Sequence, residues 1–214
     1  MTDVTDRPMR ADARRNRERV LAAAEATFSE LGVAASVEEV ARRAGVGVGT
    51  VCRHFETKQA LVEAVLSGMY DALLAQVERA LDEPDPGDAF RAFFLALAEV
   101  QGRHRVLAEQ MAAVIDVAAT AAPRREALYS AMTELVARAQ AAGTIRDDIG
   151  AADVTMLVAG VAHATAMLGD AQPILRERYV AIVLDGLRPV DRSALPGRAL
   201  DFAEIARLKQ RAGH

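Results

Sequence analysis

The twenty residues from Ser36 to Phe55 constrain this chain more tightly than any other part of it. Ser36 stands before Val37 with Glu39 three residues on, the capping-box spacing in which a hydroxyl and a carboxylate each satisfy an orphan backbone donor. A short helix is therefore expected from Val37 to Ala44. The run "AGVGVGT" then supplies glycines where the chain must turn sharply, since glycine accepts positive φ without steric cost. A second short helix should follow from about Val48 to Phe55. Two short helices joined by a glycine turn have the geometry of a helix-turn-helix, whose second helix enters the major groove of DNA. Structural αα-corners share that spacing, so spacing alone leaves both readings open.

The rest of the chain agrees with an all-α fold. Alanine-rich apolar runs dominate its 214 residues, and alternating β-branched segments are scarce. A first helix is expected from near Arg14, with Val20, Leu21, Ala24, Phe28 and Leu31 on one face and Gly32 ending it. Thr57 should cap a long fourth helix, Lys58 to Leu81, striped by Leu61, Val65, Met69, Leu73 and Val77. At about 1.5 Å per residue it would reach roughly 36 Å, enough to join two lobes. "DEPDPGD" is a break, with Asp88 expected to cap the next helix and Gly102 with "RHR" to interrupt it before "VLAEQMAAVIDVAA". Pro123 opens a further helix and Gly143 closes it, "TIRDDIG" reads as a loop, and Asp153–Leu168 and Pro173–Leu187 form the last large helices. The tail should be loosely attached, with a short amphipathic helix in "DFAEIARLKQR".

The residue string sharpens the helix-turn-helix reading. Arg15, Ala44, Gly45, Val46, Gly49, Thr50, Arg53, His54, Phe55 and Lys58 fall in register with a known signature, and over about residues 14–66 the chain resembles the DNA-binding domain of the TetR family of bacterial regulators. The resemblance implies an N-terminal arm and DNA-binding domain over residues 1–57, a helical ligand-binding and dimerisation domain over 58–190, and a tail over 191–214. It also implies phosphate contacts from His54 and Lys58, the latter at a helix start where the dipole favours an anion. Ser36 and Val37 can offer backbone N–H groups to phosphate, Gly49 permits close approach, and Thr50 can reach phosphate, a base edge or a thymine methyl. Val48 can lie against a thymine methyl, while Arg53 suits either a base edge or a phosphate. Phe55 is expected in the core.

Cys52 departs from the family, which usually has tyrosine here to touch a backbone phosphate. Cysteine loses that reach, so affinity should lean more on the arginines near the N-terminus, Arg14 and Arg15 among them. Arg53 and the phosphate-binding groups would favour thiolate, the chemistry of a redox switch. Cys52 is, however, the only cysteine and has no resolving partner in the chain, which makes a simple substitution the better reading.

Charge and composition bear on partners. Residues 1–60 carry ten Lys and Arg against nine Asp and Glu, whereas the remainder carries sixteen against twenty-one. Arg7 to Arg19 holds six arginines against Asp12 and Glu18, a local surplus that points to a polyanion or to a solvated terminus. No apolar leader is evident, and "VTMLVAGVAHATAML" is too short for a membrane span, so a cytoplasmic protein with no membrane partner is expected. His54, His104, His163 and His214 lack metal-ligand spacing, and no nucleophile elbow or phosphate loop appears. The expectation is no enzyme, no metal and no cofactor.

Beyond residue 66, Phe93, Phe94, His104, Gln110, Met111, Met132, Met156, His163 and Met167 recur at helical spacing, which core packing explains for most of them. The family resemblance implies a pocket among them for a small apolar effector. The helix "PILRERYVAIVLDGL" is apolar over so wide an arc that it must bury two faces. The resemblance implies homodimerisation through the last two helices, here Val154, Leu157, Val161, Tyr179, Ile182, Val183 and Leu187. "GTIRDDIGAADVTMLVAGV" resembles the start of the dimer region in a subgroup of these regulators. The function so implied is a ligand-responsive repressor released from a palindromic double-stranded DNA operator. The alternatives are a small-molecule-binding helical protein with a weak DNA-binding head and a nonspecific DNA binder.

Overall fold

The computed structural model describes residues 6–104, 122–165, 172–190 and 193–212. Regular structure among them is helical throughout: α1 (Asp6–Leu31), α2 (Val37–Ala44), α3 (Val48–His54), α4 (Lys58–Asp82), α5 (Pro86–Arg103), α6 (Ala122–Ala141), α7 (Ala151–Thr165), α8 (Gln172–Gly186) and α9 (Phe202–Ala212). Two compact units result, one built on Met1–Met69 and the other on Tyr70–Arg105 and Ala122–His214, with α4 contributing to each. "VLAEQMAAVIDVAA", with Gln110 and Met111, lies outside the described residues, as does Met167.

In the first unit, α1 buries Val20, Ala24 and Phe28 completely, at successive intervals of four. Val40 and Ala41 of α2, Val51 of α3, Phe55, and Leu61, Val62 and Val65 of α4 complete this core. Helix α1 begins at Asp6, earlier than the start near Arg14 that periodicity gave. Pro8 falls in its first turn, where a missing N–H leaves no bond unmade, so the basic segment continues the helix and is not a separate arm.

The capping box is half right. Ser36 Oγ accepts the Glu39 N–H at 3.2 Å. The Glu39 carboxylate turns instead to Arg42, whose Nε donates to Oε2 at 3.0 Å. Glu38 is the residue whose own backbone N–H and the Ser36 hydroxyl hold its carboxyl below the usual range. At the other end of α2, Gly45 takes φ +66°, and the Val46 N–H reaches the Ala41 carbonyl at 3.0 Å. That left-handed residue closes the helix and starts the turn.

By length and composition α4 would cross a bilayer. Leu61, Val62, Val65, Leu66, Leu73, Val77 and Ala80 are nevertheless buried against protein, a stripe along one side of the helix. Thr57 Oγ1 caps its start, accepting the Ala60 N–H at 3.0 Å. At its far end Arg138 of α6 donates to the carbonyls of Ala80 at 3.3 Å, Leu81 at 2.7 Å and Pro84 at 3.2 Å, and to that of Glu83. One guanidinium thus reaches two carbonyls of the last turn and two of the loop just beyond it.

The second unit is organised around α5, which packs chiefly on α7, while α8 lies against both. Asp85, not Asp88, caps α5, its Oδ1 accepting from Gly87 and Asp88 N–H at 2.8 Å each, with Pro86 at the first helical position. The helix runs through Gly102 without a break and ends at Arg103. "TIRDDIG" is irregular but tightly held: Ile145, Arg146 and Ile149 are buried, and Gln140 Nε2 donates to the carbonyls of Arg146 and Ile149 at 3.0 and 2.9 Å. The tail is likewise tied down rather than loose. Phe202 of α9 stacks on Tyr129 of α6 with centroids 3.8 Å apart and planes within 7°.

Candidate nucleic-acid interface

Helix α3 turns Val51 inward, and the following Phe55 closes the same side. Geometry then dictates the opposite surface. Val48, Gly49, Cys52 and Arg53 are exposed, two adjacent pairs one turn apart on a single face. Thr50 and His54 flank that face, half-buried and also one turn apart. Four of the six residues singled out on α3 from the sequence therefore form its exposed face, with Thr50 and His54 at the edges of that face and only Val51 turned inward. Ser36 and Val37 begin α2 in the same unit, with Ser36 exposed and Val37 half-buried.

Gly47 and Gly49 add a point that sequence alone did not separate. A Cβ built at either position meets no atom within 4 Å, and Gly47 has an ordinary φ of −73°. Neither packing inside the protein nor backbone strain at Gly47 demands a missing side chain there. Close approach of an outside surface would demand it. Gly45 differs, because its positive φ is required by the turn itself.

The cations of this unit fall into two classes. Arg43 makes a double contact with Glu30 at 2.9 and 2.6 Å, Arg42 pairs with Glu39, and Arg19 Nη2 donates to the Ala44 carbonyl at 2.7 Å. Arg17 lies over the Phe55 ring, 5.2 Å from its centroid. Arg14 pairs with Glu18 at 3.5 Å and Arg15 with Asp12, both through exposed side chains. Exposed pairs of this kind are worth about 0–1 kcal/mol and exchange readily for phosphate. Lys58 Nζ donates to the Ala34 carbonyl at 3.2 Å, which pins the start of α4 to the loop before α2. Arg53, among the described residues, has no ion pair and no hydrogen bond. Glu38 and Glu39 occupy the first turn of α2, so an anion approaching Ser36 and Val37 meets negative charge as well as N–H groups.

The second unit redistributes the residues expected to line a pocket. Phe93, Phe94, His104 and Met132 are buried. Met156 and His163 are not with them; both are exposed on α7, on the side away from Val154, Val158, Ala162 and Thr165. That is a correction, and its cause is the helical period: 156 and 163 lie seven residues apart on one stripe, with Leu157 and Gly160. A groove of about 580 Å³ is lined by Tyr129, Thr133, Glu134, Asp201 and Phe202, where α9 meets α6, and it includes none of the expected pocket residues.

The expected dimer residues divide in the same way. Val154, Val161 and Leu187 are buried within this chain's own core and are unavailable to a partner, a second correction. Leu157, Tyr179 and Ile182 are exposed at 39%, 41% and 55%, and Val183 is half-buried. Ile174, exposed at 73%, extends that apolar surface and was missed; its place in the wide apolar arc of α8 was the available signal.

Comparison with known proteins agrees with this geometry. Residues 20–65 match the family described as "Bacterial regulatory proteins, tetR family", and residues 85–189 match "Transcriptional regulator SbtR-like, C-terminal domain". The HTH-type transcriptional regulator UidR of Escherichia coli is 27% identical over 186 residues, covering 84% of this chain and 93% of that protein. The crystal structure of a TetR transcriptional regulator from Streptomyces coelicolor is 36% identical, with a TM-score of 0.64 over 81% of this chain and 99% of the other. A TetR transcription regulatory protein from Mycobacterium vanbaalenii is also 36% identical, with a TM-score of 0.62 over 85% and 99%. With the helix-turn-helix, the bundle and the relatives in accord, the chain belongs to the TetR family of HTH-type transcriptional regulators.

Proposed function

We propose that the protein is a homodimeric repressor that sets one α3 helix into each half-site of an operator with two-fold symmetry. The observation that carries this reading is the composition of the α3 outer face: Val48, Gly49, Cys52 and Arg53, with Thr50 and His54 beside them and open space at both glycines. Arg53 reads a base edge, Thr50 and Val48 contact a base or a thymine methyl, and His54, Lys58, Arg14 and Arg15 hold phosphates. Ser36 and Val37 contribute through backbone N–H groups. Cys52 fills its position without a long reach.

Dimerisation uses the outward stripes of α7 and α8, where Met156, Leu157, Ile174, Tyr179 and Ile182 are exposed. A small effector bound in the second unit shifts the dimer between two states of the DNA-binding heads, with α4 as the covalent link. It can do so only through differential affinity for those states. Such a regulator works in the cytoplasm, where its DNA is, and needs no catalytic group.

Selection from a random duplex pool at near-physiological salt tests the reading. An inverted repeat with half-sites about one helical turn apart is expected. Retention of DNA without sequence enrichment would overturn it in favour of a nonspecific binder.

A further inference from the structure

Among the described residues of the second unit, Arg176 carries a buried donor that the fold leaves unsatisfied. Arg176 lies on the inward stripe of α8, in line with Val180, Val183 and Leu187 at intervals of four, three and four. Val180 and Leu187 are buried at 1% and 5% exposure, so Arg176 occupies a position where this helix otherwise places aliphatic side chains. Its Nε is buried and has no hydrogen-bond partner. Arg176 forms no ion pair either, among the described residues. A guanidinium does not shed its proton at any physiological pH, so the charge persists. Buried charges are normally paired, and an unmade bond to one is costly.

Gly102 of α5 explains how the group is accommodated. A Cβ at Gly102 would stand 2.7 Å from Arg176 Nη2, 2.8 Å from Cζ and 3.0 Å from Nε. The near-equality of these distances puts the Gly102 position over the face of the guanidinium, not at its edge. Helix α5 is thus indented under a flat cation whose in-plane N–H groups are not used by the α5 backbone. The side chain as a whole is half-buried, so an acceptor can reach it from outside. Arg138 and Arg146 are the contrast within the same unit, since each donates from two of its nitrogens, Arg146 to Asp148 at 2.6 and 2.8 Å and to the Ser193 carbonyl at 2.9 Å.

We propose that Arg176, seated on Gly102 where α8 crosses α5, binds the carboxylate of a small amphipathic acid. This rests on the effector reading above and narrows it, from an apolar molecule to one with an apolar body and a single negative charge. A planar carboxylate matches the in-plane donors of one guanidinium. A phosphate monoester would bring a second charge that this single cation does not balance.

The test uses the full-length chain and a panel of benzoate, 1-naphthoate and the straight-chain carboxylates from hexanoate to dodecanoate, each beside its primary amide, with affinity measured by calorimetry. At least one acid is expected to bind wild-type protein roughly 10- to 100-fold more tightly than its amide, the range of a charge-assisted hydrogen bond. Arg176→Met should remove that preference without lowering the melting temperature, because a purely structural arginine would destabilise the fold when lost. Gly102→Ala should remove it too, by pushing the guanidinium aside while improving helix propensity at 102. Equal binding of acid and amide, or a preference that survives Arg176→Met, overturns the carboxylate site and leaves the effector reading standing. Binding of neither acids nor amides overturns both.

Discussion

The arginines of the two units are used in the same two ways, and the contrast separates scaffold from function. In the DNA-binding unit Arg43 and Arg19 tie α2 to α1 through Glu30 and the Ala44 carbonyl, while Arg53 stands exposed on α3 without a partner. In the bundle Arg138 gathers the carbonyls that end α4 and Arg146 fastens the loop before α7, while Arg176 is held against Gly102 with its Nε unsatisfied. The partnered arginines explain why the fold holds. An exposed arginine without a partner, such as Arg91, is ordinary; Arg53 is set apart by its place on the α3 outer face and Arg176 by a buried donor, one turned to solvent and the other toward the core.

The largest effect should come from the packing beneath this contrast. Phe94→Ala removes a fully buried ring from α5 and should cost about 3–5 kcal/mol of stability, read by urea denaturation. Retained stability would mean that Phe94 lines a space a ligand fills and is not core. Arg138→Met should cost about 1.5–3 kcal/mol, because it strips a charged donor from the final carbonyls of α4. In the other unit Gly45→Ala forces a side chain into φ +66°, at a cost of about 1–2 kcal/mol. Gly49→Ala meets open space and should leave stability within about 0.5–1 kcal/mol of wild type while weakening operator binding. Equal effects of the two glycine changes on DNA affinity, after correction for folding, would erase the distinction drawn between them.

The smallest effect concerns the tail. Hydrogen bonding from Arg198, reinforced by the Asp201 backbone N–H, holds the Glu204 carboxyl down to about 2 from its ordinary 4.5. A depressed carboxyl contributes stability that is complete above the unfolded value and lost as pH falls through the folded one. The start of α9 should therefore loosen between about pH 4.5 and 2, followed by amide exchange near Phe202, with Glu204→Gln loosened already at pH 7.

What the sequence made legible follows where its physics is local. Ser36, Gly45 and Thr57 act on backbone within a few residues, so the bounds of α2 and the start of α4 could be read from the chain. The signature on α3 was equally readable, because a two-turn helix with one buried valine has only one outer face. Errors arose where a side chain had to choose between partners. Glu39 prefers Arg42 to the capping site, and Asp85 precedes Pro86 and takes the cap expected of Asp88. Periodicity marked α7 and α8 as two-faced but could not say which face was inward. Period alone therefore does not separate Val154, Val161 and Leu187 from Leu157, Tyr179 and Ile182, or Met156 and His163 from the buried phenylalanines. Arg176 carries no local signal, since its meaning depends on Gly102, seventy-four residues earlier.

The most direct measurement compares Arg53→Ala with Arg43→Ala on the selected operator, by fluorescence anisotropy against matched and single-base-substituted duplexes over a range of salt. Arg53→Ala should lose about 1–3 kcal/mol per half-site and relax discrimination at one base pair, while its melting temperature stays unchanged. Arg43→Ala should lower the melting temperature and leave base discrimination intact. Undiminished discrimination in Arg53→Ala would contradict the claim that the unpartnered arginine of α3 reads the operator.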